Sequence, residues 1–433
     1  MSRRLDQGSA LLIFLYSLYG LINRLYLSPI SKIPGLKLAA ATWWYEYYYD
    51  VIHYGKYIFK IKELHKKYGP VVRINPYEVH IDDPDFYDML YSSSNSNRKE
   101  RWNWYTAGLG LPLSTLATIE NSLHRHRRAA MSNFFSKQNV RKLQPLIQEM
   151  ASKLIGKFTD LASTGEILSL ELAFAAYTND VVMQYSFGHL DHRVEEFGAR
   201  MSRLFHDTAF SAGTSSVMMR NMNWIMQIIV ALPEKLAMSF SPEMSSFVTL
   251  KRERTDQINS IRQQLSDEKA TDRLAEEAQL IVGAGTLTTS WTLTLASFYL
   301  ISQPDTLKKL KAELEEAIPD ANVNTQLATL EPLPYLTAVI KEALRLGIGS
   351  TSRIPRIALD QPIKYHGLEI PTGVPVSMAI PDVHLNPRIF PDPYAFHPER
   401  WIEDENGHID RYLVSFCKGP RGCLGINLAW AQL

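Results

Sequence analysis

Phe416-Cys417-Lys418-Gly419-Pro420-Arg421-Gly422-Cys423-Leu424-Gly425 is the stretch on which the reading of this chain turns. Cys423 is framed by glycines, follows Arg421 by two residues, and precedes a helix-like run from Ile426 to Leu433. Glycines let the backbone approach a flat ligand closely and adopt positive φ. Backbone N–H groups at a helix start hydrogen-bond and stabilise a thiolate, the form of cysteine that binds metals. The alternative is a buried free cysteine in a glycine-rich turn, the ordinary fate of a single thiol. Cys417 lacks the Arg and Gly framing at its own spacing and reads as a small residue nearby.

Beyond this stretch, the 433 residues are 45% hydrophobic, with a formal net charge of +1. That balance requires no nucleic-acid partner, and none is expected. Two cysteines exclude a disulfide scaffold, and no CxxC pair offers a thiolate zinc site. Residues 1–27 are expected to form an N-terminal membrane anchor around the apolar run Ala10 to Ile22, which lacks a cleavage site. Arg3 and Arg4 before it, and Arg24, Lys32 and Lys37 after it, split the vote on orientation. A proline-containing lead-in occupies 28–58, and a single catalytic domain 59–433.

The predicted fold class is mainly α with a small β portion (α+β). Phe59 to Tyr68 reads as a helix closed by Gly69-Pro70, and Val71–Ile74 with Val79–Ile81 as a hairpin. Further strands are expected at Ile363–Tyr365, Leu368–Ile370 and Val374–Met378, with Pro375 placing the last at a sheet edge. Ala278 to Pro304 carries no charge but is rich in threonine. It reads as a buried central helix from about Asp272 to Ser302, roughly 45 Å long. Glu342 and Arg345 share one helix face, as do His124 and Arg128, with Arg125 and Arg127 facing away.

The cysteine stretch matches, at every specified position, the Phe-x-x-Gly-x-Arg-x-Cys-x-Gly signature of the cytochrome P-450 superfamily. The resemblance extends over nearly the whole chain. It implies the P-450 fold and a haem whose iron is held axially by Cys423, with Phe416, Arg421 and Gly425 in the cofactor-binding stretch. A thiolate ligand pushes electron density that favours O–O cleavage. By the same resemblance His124, Arg128 and Arg356 contact the haem propionates, and Glu342, Arg345 and Arg400 form a structural triad. Ala284-Gly285-Thr286-Leu287-Thr288-Thr289 is similar to the oxygen-activation motif: Gly285 would open a groove for O2 and Thr288 would help deliver protons. Leu287 stands where the family usually has an acid. Thr289 reads as bonding a backbone carbonyl one turn back.

The resemblance implies a monooxygenase like those of fungal secondary metabolism, such as trichodiene oxygenase. It would use O2 and NADPH electrons from a reductase on an apolar small molecule, a terpenoid or polyketide. Its expected location is the endoplasmic reticulum membrane, single-pass, with the catalytic domain in the cytosol. Leu287 motivates an alternative, rearrangement or coupling without standard oxygen insertion. The end of the chain at Leu433, where family members continue, motivates another: a truncated, inactive member.

Overall fold

The computed structural model describes residues 2–92, 97–165, 167–195, 220–221, 252, 268–320 and 325–433. In chain order the principal helices are α1 (Ser2–Ile22), α2 (Tyr57–Tyr68), α3 (Asn121–Ser132), α4 (Gln144–Thr164), α5 (Leu170–Phe187), α6 (Glu268–Ser302), α7 (Pro304–Ala317), α8 (Pro334–Gly347), α9 (Ile380–His384) and α10 (Ile426–Gln432). The strands are β1 (Val71–Arg73), β2 (Val79–Ile81), β3 (Lys99–Arg101), β4 (Arg356–Ala358), β5 (Ile363–Tyr365), β6 (Leu368–Ile370) and β7 (Pro375–Ser377). Helices dominate the described residues and the sheets are small, as expected.

Polar ends explain several boundaries. Ser169 caps α5 by accepting the Leu172 N–H, and α5 closes on Gly188 in the left-handed region. Pro304 and Pro334 open α7 and α8 in the first turn, where a missing N–H breaks no helical bond. The long helix α6 spans 35 residues. It packs along α5 and also touches α7, α8 and α10. Gly285 makes the α5 contact possible: a Cβ there would lie 2.7 Å from Val182 Cγ2.

Five strands form one sheet in the order β1-β2-β7-β4-β3, and β5 pairs with β6 in a separate hairpin. The expected hairpin is present as β1–β2, antiparallel with Val71 opposite Ile81. The edge position expected from Pro375 is not: β7 lies between β2 and β4. Pro375 is the first residue of its strand, the one interior-sheet position where the absent N–H is tolerated.

The N-terminal expectation is corrected. No described helix is long and apolar enough to cross a membrane. The first eight residues of α1, Ser2 to Ser9, are mostly polar. The apolar run from Ala10 to Ile22 extends only about 20 Å at 1.5 Å per residue, against roughly 30 Å of hydrocarbon. Its large apolar side chains are nonetheless mostly exposed, from Leu11 to Ile22. The proline-containing lead-in is built into the domain: Ile30 and Ile33 are buried against the sheet, and Glu46 forms an ion pair with the buried Arg353.

Candidate active site

Glycine and left-handed backbone shape the cysteine loop before any side chain acts. Gly419 has φ +71°, and a Cβ there would collide with the Tyr91 carbonyl. The loop then delivers Cys423 to the start of α10. Its N–H donates to the Phe416 carbonyl at 2.8 Å, and the Gly425 N–H points at the thiol. Burial pushes the Cys423 thiol up, while that N–H and the Arg128 guanidinium pull against the shift. Cys417 also borders the cavity, but its backbone is left-handed at φ +57° and its thiol accepts the Tyr87 hydroxyl at 3.5 Å.

Both cysteines face a cavity of about 400 Å³. Its walls include Ala284, Gly285 and Thr288 of α6, Leu344 of α8, and Phe416 and Gly425 of the loop. A Cβ on Gly425 would meet no protein atom, so this glycine keeps the cavity floor open.

Five basic side chains line the same cavity: Arg101, His124, Arg128, Arg356 and Arg421. Among the described lining residues the one carboxylate is Glu277. Three of the arginines donate to backbone carbonyls. Arg421 donates to Thr118 and Ile119, Arg128 to Gly422 at 2.7 Å, and Arg356 to Pro355. Arg101 Nε is buried without an acceptor. Burial, reinforced by the neighbouring arginines, lowers Arg421 to about 9, Arg101 to about 10 and His124 to about 3. Buried cations without anions are costly. The cluster therefore fits a ligand that brings negative charge, such as the two propionates of haem.

Sequence alone does not single out Arg101. It lies in a three-residue strand without periodic signal, and only the β3–β4 register sets it opposite Arg356. Arg127, expected to face away, instead donates to the Leu113 carbonyl and to Thr118 Oγ1.

On α6 two readings change. Gly285 lines the cavity, but its missing side chain serves contact with Val182. Thr288, not Thr289, makes the bond one turn back, donating to the Ala284 carbonyl at 2.8 Å; its hydroxyl still borders the cavity. Leu287 is absent from the cavity lining. Glu277 accepts from the Thr115 N–H and hydroxyl at 2.8 Å, and Glu276 from the Leu113 N–H. Two adjacent carboxylates thus pin the 113–115 loop to the central helix.

Glu342, Arg345 and Arg400 meet through side-chain hydrogen bonds. Arg345 is fully buried and grips both oxygens of Glu342 at 2.7 and 2.8 Å. Arg400 Nε reaches Glu342 at 3.2 Å, and Trp401 Nε1 at 2.9 Å. Arg345 also donates to the carbonyls of His384, Pro393 and Ala395, tying α8 to the chain leading toward the cysteine loop.

A cysteine loop at a helix start, beneath a cavity rimmed by anion-seeking cations, defines the class of haem-thiolate proteins. The chain belongs to the cytochrome P450 family, whose sequence profile matches residues 40–433. It is 43% identical to the cytochrome P450 monooxygenase tpcC of Cochliobolus heterostrophus, over 96% of this chain and 84% of that protein. It is 42% identical to the monooxygenase astB of Talaromyces wortmannii, over 97% and 84%. It is 38% identical to the tryptophan 6-hydroxylase fscE of Fusarium equiseti, over 99% and 88%. The chain is accordingly an oxygen-incorporating oxidoreductase whose cofactor is a cysteine-thiolate haem.

Proposed function

We propose that this enzyme oxidises an apolar small molecule in fungal secondary metabolism, using O2 and NADPH electrons passed on by a separate reductase. The carrying observation is the cavity: apolar residues of α6 and α8 share its lining with Cys423 and with five basic side chains. Haem bound there supplies O2 activation, helped by the electron push of its thiolate.

Cys423 is the proposed ligand, because its thiol meets the Gly425 N–H and lies under the influence of Arg128. Cys417 is set aside by its bond from Tyr87. Arg101, Arg356, Arg421 and His124 hold the propionates, and Arg128 braces the loop through Gly422. Thr288 presents a hydroxyl at the cavity wall and passes protons there. Phe416 and Gly425 shape the cofactor floor. Glu342, Arg345 and Arg400 keep the loop in register from below.

Membrane attachment is proposed at the interface rather than by a span. Trp44, Tyr48, Ile52, Tyr54 and Phe59 are each exposed on the lead-in and α2, aromatic and aliphatic side chains of the kind that settles at headgroup level. The proposed membrane is the endoplasmic reticulum, with the catalytic domain on its cytosolic side.

The experiment is the carbon-monoxide difference spectrum of the reduced protein. A thiolate-type band that disappears in Cys423→Ala and persists in Cys417→Ala is the expected result. A band lost in Cys417→Ala alone reverses the ligand assignment, and no thiolate band in the parent protein removes the functional reading.

A further inference from the structure

Arg220 is nine-tenths buried, and among the described residues no carboxylate lies within ion-pair distance of it. Its guanidinium lies over the rings of Trp104 and Tyr105, each 5.6 Å from the ring centroid. Its Nε is buried without an acceptor. Asp50 feels its charge, but that carboxylate pairs with Arg353 and accepts from the Tyr57 N–H. The contrast with Arg353 is direct. Arg353 lies 5.1 Å from the centroid of the same Trp104 ring, but it also pairs with Glu46 at 2.5 Å and Glu78 at 2.9 Å. Stacking on an aromatic face offsets part of a guanidinium's desolvation. It does not satisfy five N–H donors arranged to fit a carboxylate.

The position of Arg220 narrows the source of an anion. Tyr105, one of the two rings under Arg220, lines the cavity above Cys423. The same ring carries Arg101, one of the cations assigned to the cofactor. Arg220 therefore lies one aromatic ring from the cavity and is not itself part of the cofactor rim. Among the described residues none supplies that anion within ion-pair distance, which leaves a ligand in the neighbouring cavity as a source.

We propose that Arg220 binds a carboxylate on the substrate, so that this enzyme selects apolar acids over neutral apolar molecules of the same shape. This rests on the monooxygenase reading above. The acid's apolar body would fill the cavity between α6 and Leu344, with its carboxylate drawn toward the Tyr105 end. A charge-assisted pair made on binding is worth roughly 10- to 100-fold in affinity.

The test uses three acids with their methyl esters: dodecanoic acid, 1-naphthoic acid and N-acetyltryptophan. Each is titrated into the haem-loaded enzyme while the substrate-induced Soret shift is followed. At least one acid is expected to bind about tenfold or more tightly than its ester. Arg220→Met, which keeps the stacking volume, should remove that preference while leaving ester binding within about threefold; Arg220→Gln serves if the methionine variant does not accumulate. Equal binding of every acid and its ester overturns the proposal, as does a preference that survives both variants. The carbon-monoxide band is recorded on every sample. Its absence from the parent protein counts against the monooxygenase reading, whereas its presence with no acid preference counts against Arg220 alone.

Discussion

Glu342 shows how much one buried residue can hold. It accepts from Arg345, Arg400, Trp401 and the His397 N–H, and no part of its side chain reaches solvent. Removing its charge leaves two guanidinia buried without an anion. Glu342→Gln should therefore cost about 3–5 kcal/mol, read as a drop in the urea midpoint. Gly285 is a second such residue. Gly285→Ala drives a Cβ into Val182 and should cost about 1–3 kcal/mol. Val182→Ala should restore much of that loss in the double variant, so a thermal-melt double-mutant cycle yields a coupling that opposes the single losses. If the two substitutions simply add, the contact does not limit packing. The Glu342–Arg345 pairing was legible from spacing alone, because residues three apart share a helix face. The Val182 contact was not, because it joins positions far apart in sequence.

The short helix α9 places Asp382 beside Lys62 of α2 and His80 of β2. His65 Nδ1 donates to the Gly69 carbonyl at 2.8 Å, which leaves its Nε2 to accept from His80 Nδ1 at 2.8 Å. His80 Nε2 then presents a lone pair 3.6 Å from Asp382 Oδ2, with Lys62 at 3.3 Å from the other oxygen. Burial, with Asp82 adding to it, pushes Asp382 up to about 7 from 3.8. The folded protein thus holds this proton more tightly than the unfolded chain does. The resulting stability is fully present below about pH 4 and is lost as pH rises through about 7. Asp382→Asn should flatten this part of the pH profile: its urea midpoint should change less between about pH 5 and about pH 8 than the parent's. An unchanged slope would assign the dependence to other groups. No motif marks this cluster, since its members come from α2, β2 and α9 and meet only in the folded chain.

At the scale of the molecule, the described residues gather five basic side chains around one cavity against a single side-chain carboxylate, Glu277. A ligand that binds only the folded state stabilises it by mass action. One that also neutralises Arg101, Arg356 and Arg421 removes a desolvation cost that the protein alone cannot offset. Haem-loaded protein should therefore melt well above protein expressed without haem. Arg101→Met should narrow that gap by weakening the holo form while costing the apo form little. Calorimetry of the parent and variant, each with and without haem, decides it: a gap unchanged by the substitution would remove Arg101 from the cofactor site.

Features that act locally were readable in the residues alone. The cysteine loop was one, because its glycines, its arginine and the helix after them lie close together along the chain. The central helix was another, because a long uncharged run rich in hydroxyls suits a buried helix better than a lipid-facing one. Features that depend on pairing across the chain emerged only in three dimensions. The fold set Arg101 opposite Arg356, moved Pro375 into the middle of a sheet, turned Gly285 toward Val182, and stacked Arg220 and Arg353 on Trp104. Three-residue strands carry too little periodicity to announce their partners. A buried charge declares its need for a counter-ion only once the surrounding elements have excluded water.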